Sequence, residues 1–408
     1  MRLLFVHRYL GLLGGAEADI LRSARRLAEN GHSTSLLYLE PTGRHEEAWR
    51  RAFAPCWSLG NASAPSAIAE TILRRWAPDV VYCHNLPELE VLQKFLDSGV
   101  PLVRKLHDHQ TYCMRGYKYN YFTRRVCTRR TSFRCVFPCL AFIGRNPNGV
   151  WPISWVSYRA KRQEIRANQR CDRLIVGSRY QREELLRNGF EPSRIVVLPP
   201  VQVWDEKAPA STFSPQNLVL FVGQLVRGKG VDLLLRALAK VRVPFECDIL
   251  GDGNDRRRCE QLCARLGLRH RVRFHGFVSG AATEPFYRDA SLLAFPSVWP
   301  EPFGLVGREA FHHGLPVVAF DAGAVGEWLR DGENGFLVPW GDVDQFAGRI
   351  EMLLLNKELA RRMGRAGQKE IIELEEAARN DDPLERIFLE VLAEVRSCPN
   401  DHLLLQSK

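Results

Sequence analysis

The chain has 408 residues, of which 45% are apolar and 25% charged. That is room for two or three domains, in a globular rather than a disordered composition. No stretch approaches the ~18 unbroken apolar residues of a membrane span, and the opening MRLLFVHRYL turns polar too early for a signal peptide, with no small-residue cleavage site after it. An integral membrane protein is therefore excluded and a cytoplasmic location expected. The net charge of +10 is uneven: residues 1–200 carry 31 Lys and Arg against 17 Asp and Glu, and between Asp108 and Glu164 eleven basic residues occur without a carboxylate. Such a field attracts phosphate, whether in nucleic acid, lipid headgroups or an anionic substrate. The eleven cysteines are odd in number and scattered, which suits buried small hydrophobes in a reducing compartment.

In chain order, short β-branched runs alternate with amphipathic stretches. Strands are predicted at Leu3–His7, Ser33–Leu39, Val80–His84, Leu102–His107, Arg173–Gly177 and Ile195–Leu198, with helices at Ala16–Asn30, Ser66–Trp76, Leu86–Ser98 and Arg179–Asn188. This alternation implies a parallel, doubly wound sheet. A basic insert rich in Cys and aromatics, residues 110–160, interrupts it and is too long for an ordinary loop. Pro199, Pro200, Pro209 and Pro215 mark a linker, after which the alternation restarts. Strands are expected at Leu218–Val222, Cys247–Leu250, Val272–Phe274, Leu292–Phe295, Pro316–Phe320 and Phe336–Val338, and helices at Val231–Val241, Asp255–Leu266, Gly304–His313, Val343–Leu355 and Lys357–Leu374. The fold class is thus α/β: two Rossmann-like doubly wound domains, 1–200 and 216–375, facing a cleft. In 376–408, an amphipathic helix (Leu384–Val395) returns to the first domain before a frayed tail. Ligands of open α/β sheets bind at strand carboxyl ends.

Three stretches suit an anionic ligand. Gly11-Leu-Leu-Gly14-Gly15-Ala16-Glu17 follows the first strand and opens a helix, where bare backbone and the helix dipole favour phosphate; a tight turn needing positive φ would use the same glycines. VGQLVRGKG places Arg227 and Lys229 after a strand, positioned to neutralise a diphosphate leaving group or simply to sit in a solvated basic turn. LGDGND, with Gly251, is a weaker third. Neither glycine loop has the G-x-G-x-x-G or P-loop pattern, which weakens an NTPase reading and puts an NAD-dependent oxidoreductase last. The most specific block is PSVWPEPFGLVGREAFHHGLPVVAF. In it Phe303, Gly304 and Leu305 offer backbone N–H groups at a helix start. Glu301 and Glu309 are carboxylates suited to sugar and ribose hydroxyls; helix-start and solvated charges are the plainer alternative.

The E-x7-E spacing of Glu301 and Glu309 within EPFGLVGRE, followed by GLPVVAFDAGAVGE and preceded in order by GGAE, LHDH, GQLVRGKGVD and LGDGN, resembles the retaining glycosyltransferases of family four, which have the GT-B architecture. The resemblance spans nearly the whole chain. It implies Gly14 and Gly15 near donor phosphates, His107 beside the transferred sugar and acceptor, and Lys229 on the diphosphate. It further implies Glu301 on donor-sugar hydroxyls, the 303–305 amides on sugar and phosphate, and Glu309 on the ribose. Asp108 and His109 are secondary candidates for the acceptor. One departure stands out: the family often places Arg after the glycine of G-R-L, where this chain has Gln224. Either Arg227 supplies that charge or the donor site is weaker.

The resemblance implies transfer from a UDP- or GDP-sugar to a saccharide or lipid-linked saccharide, without a catalytic metal. A nucleotide-sugar 2-epimerase or hydrolase of the same architecture, and a catalytically silent sugar-nucleotide or nucleic-acid binding protein, are the alternatives. The one D-x-D, Asp342-Val-Asp344, opens a predicted helix and reads as an N-cap. Within the insert, Cys113, Cys127, Cys135 and Cys139 could hold a structural zinc, although their spacing lacks a paired C-x-x-C and free thiols are the simpler expectation. Five arginines (124, 125, 129, 130 and 134) interleave there with Tyr117, Tyr119, Tyr121, Phe122 and Phe133, and Trp151 and Trp155 follow. That mixture favours a peripheral position on an anionic membrane, at its inner face, over nucleic-acid binding.

Overall fold

A computed structural model describes residues 1–60, 64–86, 88–120, 123–145, 153–200, 211, 213, 217–278, 280–380 and 382–397. The linker prolines 209 and 215, the tail beyond Ser397, and Tyr121, Phe122 and Trp151 of the insert lie outside them. The chain divides into two compact units. One comprises Met1–Gly116, Arg129–Pro200 and Asp381–Lys408, the other Tyr117–Thr128 and Val201–Asn380.

The strands of the first unit are β1 (Arg2–Leu10), β2 (Ser33–Pro41), β3 (Cys56–Ser58), β4 (Val80–Cys83), β5 (Leu102–Leu106), β6 (Ile143–Arg145), β7 (Ile153–Trp155), β8 (Arg173–Val176) and β9 (Ile195–Val197). β6 and β7 form a separate antiparallel hairpin, while the others pair in parallel as one seven-stranded sheet in the order β3-β2-β1-β4-β5-β8-β9. Side chains alternate across it: Leu4, Val6 and Val81 enter one hydrophobic core, and Leu3, Phe5 and Val80 the other. Both faces are therefore buried, which is why these strands read as continuous apolar runs.

The second core is completed by the C-terminal helix Pro383–Ser397, whose Leu384, Ile387, Phe388 and Val391 recur at the helical period and are buried in it. The Arg26–Asp382 ion pair (3.1 Å) and the His32–Glu385 hydrogen bond (2.9 Å) fasten the start of that helix.

The second unit carries β10 (Leu218–Val222), β11 (Glu246–Leu250), β12 (Val272–Gly276), β13 (Leu292–Phe295), β14 (Val317–Phe320) and β15 (Gly335–Val338), a parallel six-stranded sheet in the order β12-β11-β10-β13-β14-β15. Val219 and Phe221 point into one core, Leu220 and Leu293 into the other. The Asp342 side chain accepts from the Gln345 amide at 2.9 Å and caps the helix Val343–Leu355, as its D-x-D position suggested.

Two features depart from the sequence reading. The insert is split, since residues 117–128 pack with the second unit: Tyr119 is buried in its core and Arg124 binds Asp232 at 2.6 Å. Helices at Glu46–Ala52, Tyr158–Gln169 and Glu284–Asp289 were not anticipated; the first and last are too short for periodicity to reveal, and YRAKRQEIRANQ is mostly polar. Among the described residues no helix is long and apolar enough to cross a membrane.

The fully buried Phe388 joins the last helix to the first unit's core. Truncating it to Ala is expected to cost about 3–5 kcal/mol. Urea unfolding followed by proteolysis should show the first unit opening earlier while the second unit's transition stays in place.

Candidate active site

In the second sheet the chain order reverses between β10 and β13, and the loops leaving their carboxyl ends diverge there, the usual ligand position in such sheets. The loop after β10 carries Gln224, Arg227 and Lys229, and the loop after β13 carries Ser297, Trp299 and Glu301. Backbone bonds stitch the two together: the Val298 and Trp299 amides both donate to the Gly228 carbonyl, at 2.8 and 3.1 Å. Gly230 sits at φ +70°, and a Cβ there would stand 1.9 Å from the Pro296 oxygen, so only glycine permits this approach.

The stitched loops bring Lys229 Nζ to 2.6 Å from Glu301 Oε1. The Glu301 carboxylate is almost fully buried and also accepts from Ser297 Oγ, while Lys229 lies over the Trp299 ring, 4.6 Å from its centroid. Tyr117, from the segment that joins this unit, stacks on the same Trp299 ring at 5.4 Å. The backbone of Glu301 is held by the loop after β14: its amide donates to the Ala322 carbonyl (3.3 Å), and its carbonyl accepts from the Ala324 amide (2.9 Å). Gly323, at φ +67°, lets that loop come close, since a Cβ there would meet the Glu301 backbone at 2.4 Å.

Beyond Glu301 the helix Leu305–His312 begins at Gly304, whose φ of +99° and missing side chain leave no side-chain cap over the first amides. Phe303 is buried, its carbonyl accepting from Trp328 Nε1 at 2.6 Å. One turn into the helix, Glu309 Oε2 accepts from the Tyr287 hydroxyl at 2.9 Å, and the His313 ring stacks on Tyr287 at 4.8 Å. Lys229, Glu301, Gly304, Leu305 and Glu309 thus belong to two adjoining loops and the helix that follows them. Gln224 is exposed and Arg227 half-buried at the start of the turn leading to Lys229. Gly251, at φ +141°, packs the loop after β11 against the Gly223 oxygen, 1.9 Å from where its Cβ would be, which is a close-approach reason for that glycine.

The first unit places a different chemistry at its own reversal, between β1 and β4. Gly14 and Gly15 are exposed where the helix Gly15–Glu29 begins, again without a side-chain cap. Glu17 and Asp19 of that helix turn inward: Glu17 meets His7 at 3.3 Å and Asp19 meets Lys105 at 2.6 Å. Burial is the largest influence and would raise the Asp19 carboxyl, but the Lys105 ammonium together with Arg22 and its other neighbours outweighs it and the net shift is downward. His84, after β4, bonds through Nδ1 to Nε2 of His107, after β5, at 2.9 Å, with the rings stacked. Burial lowers His107 to about 4 and His84 well below its ordinary value. Both imidazoles are therefore neutral near pH 7, and one nitrogen of the pair must carry the shared hydrogen.

Asp108 follows, its carboxyl raised to about 6 by burial while accepting from the Gln110 amide at 2.7 Å. His109 is buried against Tyr112, with Nδ1 2.7 Å from the hydroxyl. The sequence reading found Lys229, Glu301 and Glu309 by spacing and His107 by resemblance. It missed His7, His84, Glu17, Asp19, Lys105, Ser297, Trp299 and Tyr287. Charged residues inside apolar strands (LVRKL) and an inward-facing pair on the first helix were the available signals.

Among the described residues, no group of three or more His, Cys, Asp or Glu is arranged to hold a metal ion. Cys113, Cys127 and Cys139 form no disulfide. The Arg115 guanidinium occupies the surroundings of Cys139, with Nε 3.4 Å from Sγ, and Cys127 lies on the segment that leaves for the second unit.

The histidine pair has a measurable consequence. Between its ordinary 6.5 and about 4, His107 binds fewer protons folded than unfolded, so its share of stability falls as pH drops through that window. His84 acts with the same sign, and the raised Asp108 opposes them between 3.8 and about 6. Imidazole NMR should show His107 neutral until the pH nears about 4, and His107→Gln should flatten the acid side of the stability profile.

Two family models match consecutive parts of the chain: Glycosyltransferase Family 4 over residues 13–201 and Glycosyl transferases group 1 over residues 202–370. An uncharacterized glycosyltransferase of Methanocaldococcus jannaschii is 38% identical over 141 residues, which is 34% of this chain and 36% of that protein. The lipopolysaccharide core biosynthesis glycosyltransferase LpsE of Rhizobium meliloti is 24% identical over 375 residues, 90% of this chain and 93% of its own length. The crystal structure of Anabaena HepE in complex with UDP-glucose superposes with a TM-score of 0.69 at 20% identity, covering 97% of this chain and 99% of HepE. With both halves matched in order on two Rossmann-like units, this chain belongs to the family-four, group 1 glycosyltransferases and has the GT-B fold.

Proposed function

We propose that the protein transfers a sugar, with retention of anomeric configuration, from a UDP- or GDP-sugar to a saccharide or lipid-linked saccharide in polysaccharide or glycolipid synthesis. The observation that carries this reading is the Lys229–Glu301 pair at 2.6 Å beside the uncapped helix start at Gly304. The relatives favour the same class, through LpsE in lipopolysaccharide core synthesis and HepE with its UDP-glucose. A lipid-linked acceptor places the reaction at the inner face of a membrane, in the cytoplasm.

Breaking a glycosyl–phosphate bond builds positive charge on the anomeric carbon and negative charge on the departing diphosphate. Lys229, Arg227 and the amides of 303–305 supply fixed positive charge for the latter, so electrostatic preorganisation is the main contribution and a catalytic metal has no task there. Glu301, restrained by Lys229 and Ser297, holds donor-sugar hydroxyls. Glu309 accepts from the ribose, oriented by the Tyr287 hydroxyl. Gly14, Gly15 and Gln224 border the donor.

Neutral His107 exchanges hydrogen bonds with the transferred sugar and the acceptor without adding charge, and Asp108 and His109 shape the acceptor side. With Glu301 engaged in recognition, transfer proceeds on one face: the C1–O bond to phosphate breaks, the acceptor oxygen bonds to C1, and the acceptor proton goes to a diphosphate oxygen. The products are nucleoside diphosphate and the glycoside.

Three measurements test this. Nucleotide release from a panel of UDP- and GDP-sugars should require an acceptor; release or epimerisation without one would point to the hydrolase or epimerase chemistry, and no turnover to a silent binder. Glu301→Gln and Lys229→Ala should each lower kcat about 10²–10³-fold, the cost of removing one preorganised electrostatic contact. Tyr287→Phe should raise the donor KM about three- to tenfold with little change in kcat, since one hydrogen bond to a recognition carboxylate is worth ~1 kcal/mol.

A further inference from the structure

Most of the basic insert remains with the first unit, and it is built unlike an ordinary surface loop. Trp155 is 78% exposed and Phe133 and Phe137 are each 70% exposed, the most exposed large apolar side chains among the described residues. Leu140 and Ile143, at 41% and 38%, accompany them. They form one patch rather than scattered exceptions. The amides of Phe137 and Leu140 donate to the carbonyls of Phe133 and Val136, at 3.2 and 3.1 Å. The Phe133 ring meets Tyr158 at 6.5 Å, Phe142 stacks on Trp155 at 5.8 Å, and Ile143 pairs with Trp155 across the hairpin. Arg130, Arg134 and Arg159 lie in the same segments and are exposed, in a stretch where no carboxylate occurs between Asp108 and Glu164.

We propose that this patch, carried on residues 130–143 and 155–159 of the first unit, docks the protein on an anionic lipid bilayer, with Phe133, Phe137 and Trp155 entering the interface and the arginines meeting headgroup phosphates. Contiguous exposed aromatics are costly in water and mark an interaction surface. The unopposed positive charge selects a negatively charged partner. Leu140 and Ile143 decide between a bilayer and a nucleic acid: aliphatic side chains bury well among acyl chains and offer no face for a base to stack on. The inference deepens the reading of a lipid-linked acceptor by naming the surface that brings the enzyme to it, and it rests on that reading only for its purpose.

Its test uses neither donor nor acceptor, so its failure is distinguishable from failure of the transferase reading. The full-length protein is sedimented with vesicles of phosphatidylcholine alone and of phosphatidylcholine mixed with phosphatidylglycerol. Binding to the anionic vesicles only, weakening as salt is raised, is expected. Arg130→Glu with Arg134→Glu should weaken that binding about tenfold or more, at roughly fivefold per basic residue near the surface. The combined Phe133→Ser, Phe137→Ser and Trp155→Ser variant should abolish it while leaving the melting temperature unchanged, since these side chains pack into neither core. Equal binding to both vesicle types, or no binding to either, overturns the proposal. So does finding that the serine variant instead loses single-stranded oligonucleotide binding, or instead breaks a dimer seen by sedimentation velocity.

Discussion

Lys229 meets Glu301 because the strand order of their sheet reverses between β10 and β13. A parallel sheet buried on both faces leaves no room for unpaired polar groups along its strands, so its chemistry gathers in the loops at the carboxyl ends. Where neighbouring strands send their chains in opposite directions, two such loops can face one another. Here they are drawn together by the Gly228 carbonyl, by Gly230 against Pro296 and by Gly323 against Glu301. An ammonium and a carboxylate buried side by side contribute little net stability. Their value lies in orientation: each holds the other in place at the foot of an uncapped helix start.

The first unit solves the same topological problem with different groups. Its reversal gathers His7, His84 and His107, together with the Glu17 and Asp19 carboxylates and the Lys105 ammonium, beneath the glycine turn that opens the first helix. The charges there are paired internally, and burial keeps His84 and His107 neutral. One unit therefore carries a cation and helix amides suited to phosphate, and the other a half-buried neutral imidazole, His107, suited to hydroxyls. That division fits a reaction in which charge develops on the leaving group while the sugar and acceptor need orientation.

The insert shows how one segment can serve two units. Residues 117–128 add Tyr119 to the second core and Tyr117 to the Trp299 ring beside Lys229, whereas Phe133, Phe137 and Trp155 remain exposed on the first unit. Composition marked the whole insert as functional. It could not divide it, because Arg and Tyr serve equally well in an intramolecular ion pair such as Arg124–Asp232 and on an open face.

Periodicity and turn residues were enough to determine the alternation of strands and helices, the two parallel sheets, the last helix with its Leu384, Ile387, Phe388 and Val391 stripe, and the E-x7-E pair. Each of these depends on local spacing, which a chain displays directly. Tertiary structure alone decided what depends on contacts between distant positions. His84 and His107 are 23 residues apart and Lys229 and Glu301 are 72 apart. Ser297 and Tyr287 gain meaning only once a carboxylate is beside them. Local preference specifies which face of an element is apolar; which loops then meet is fixed by strand order and by the few glycines that let backbones touch.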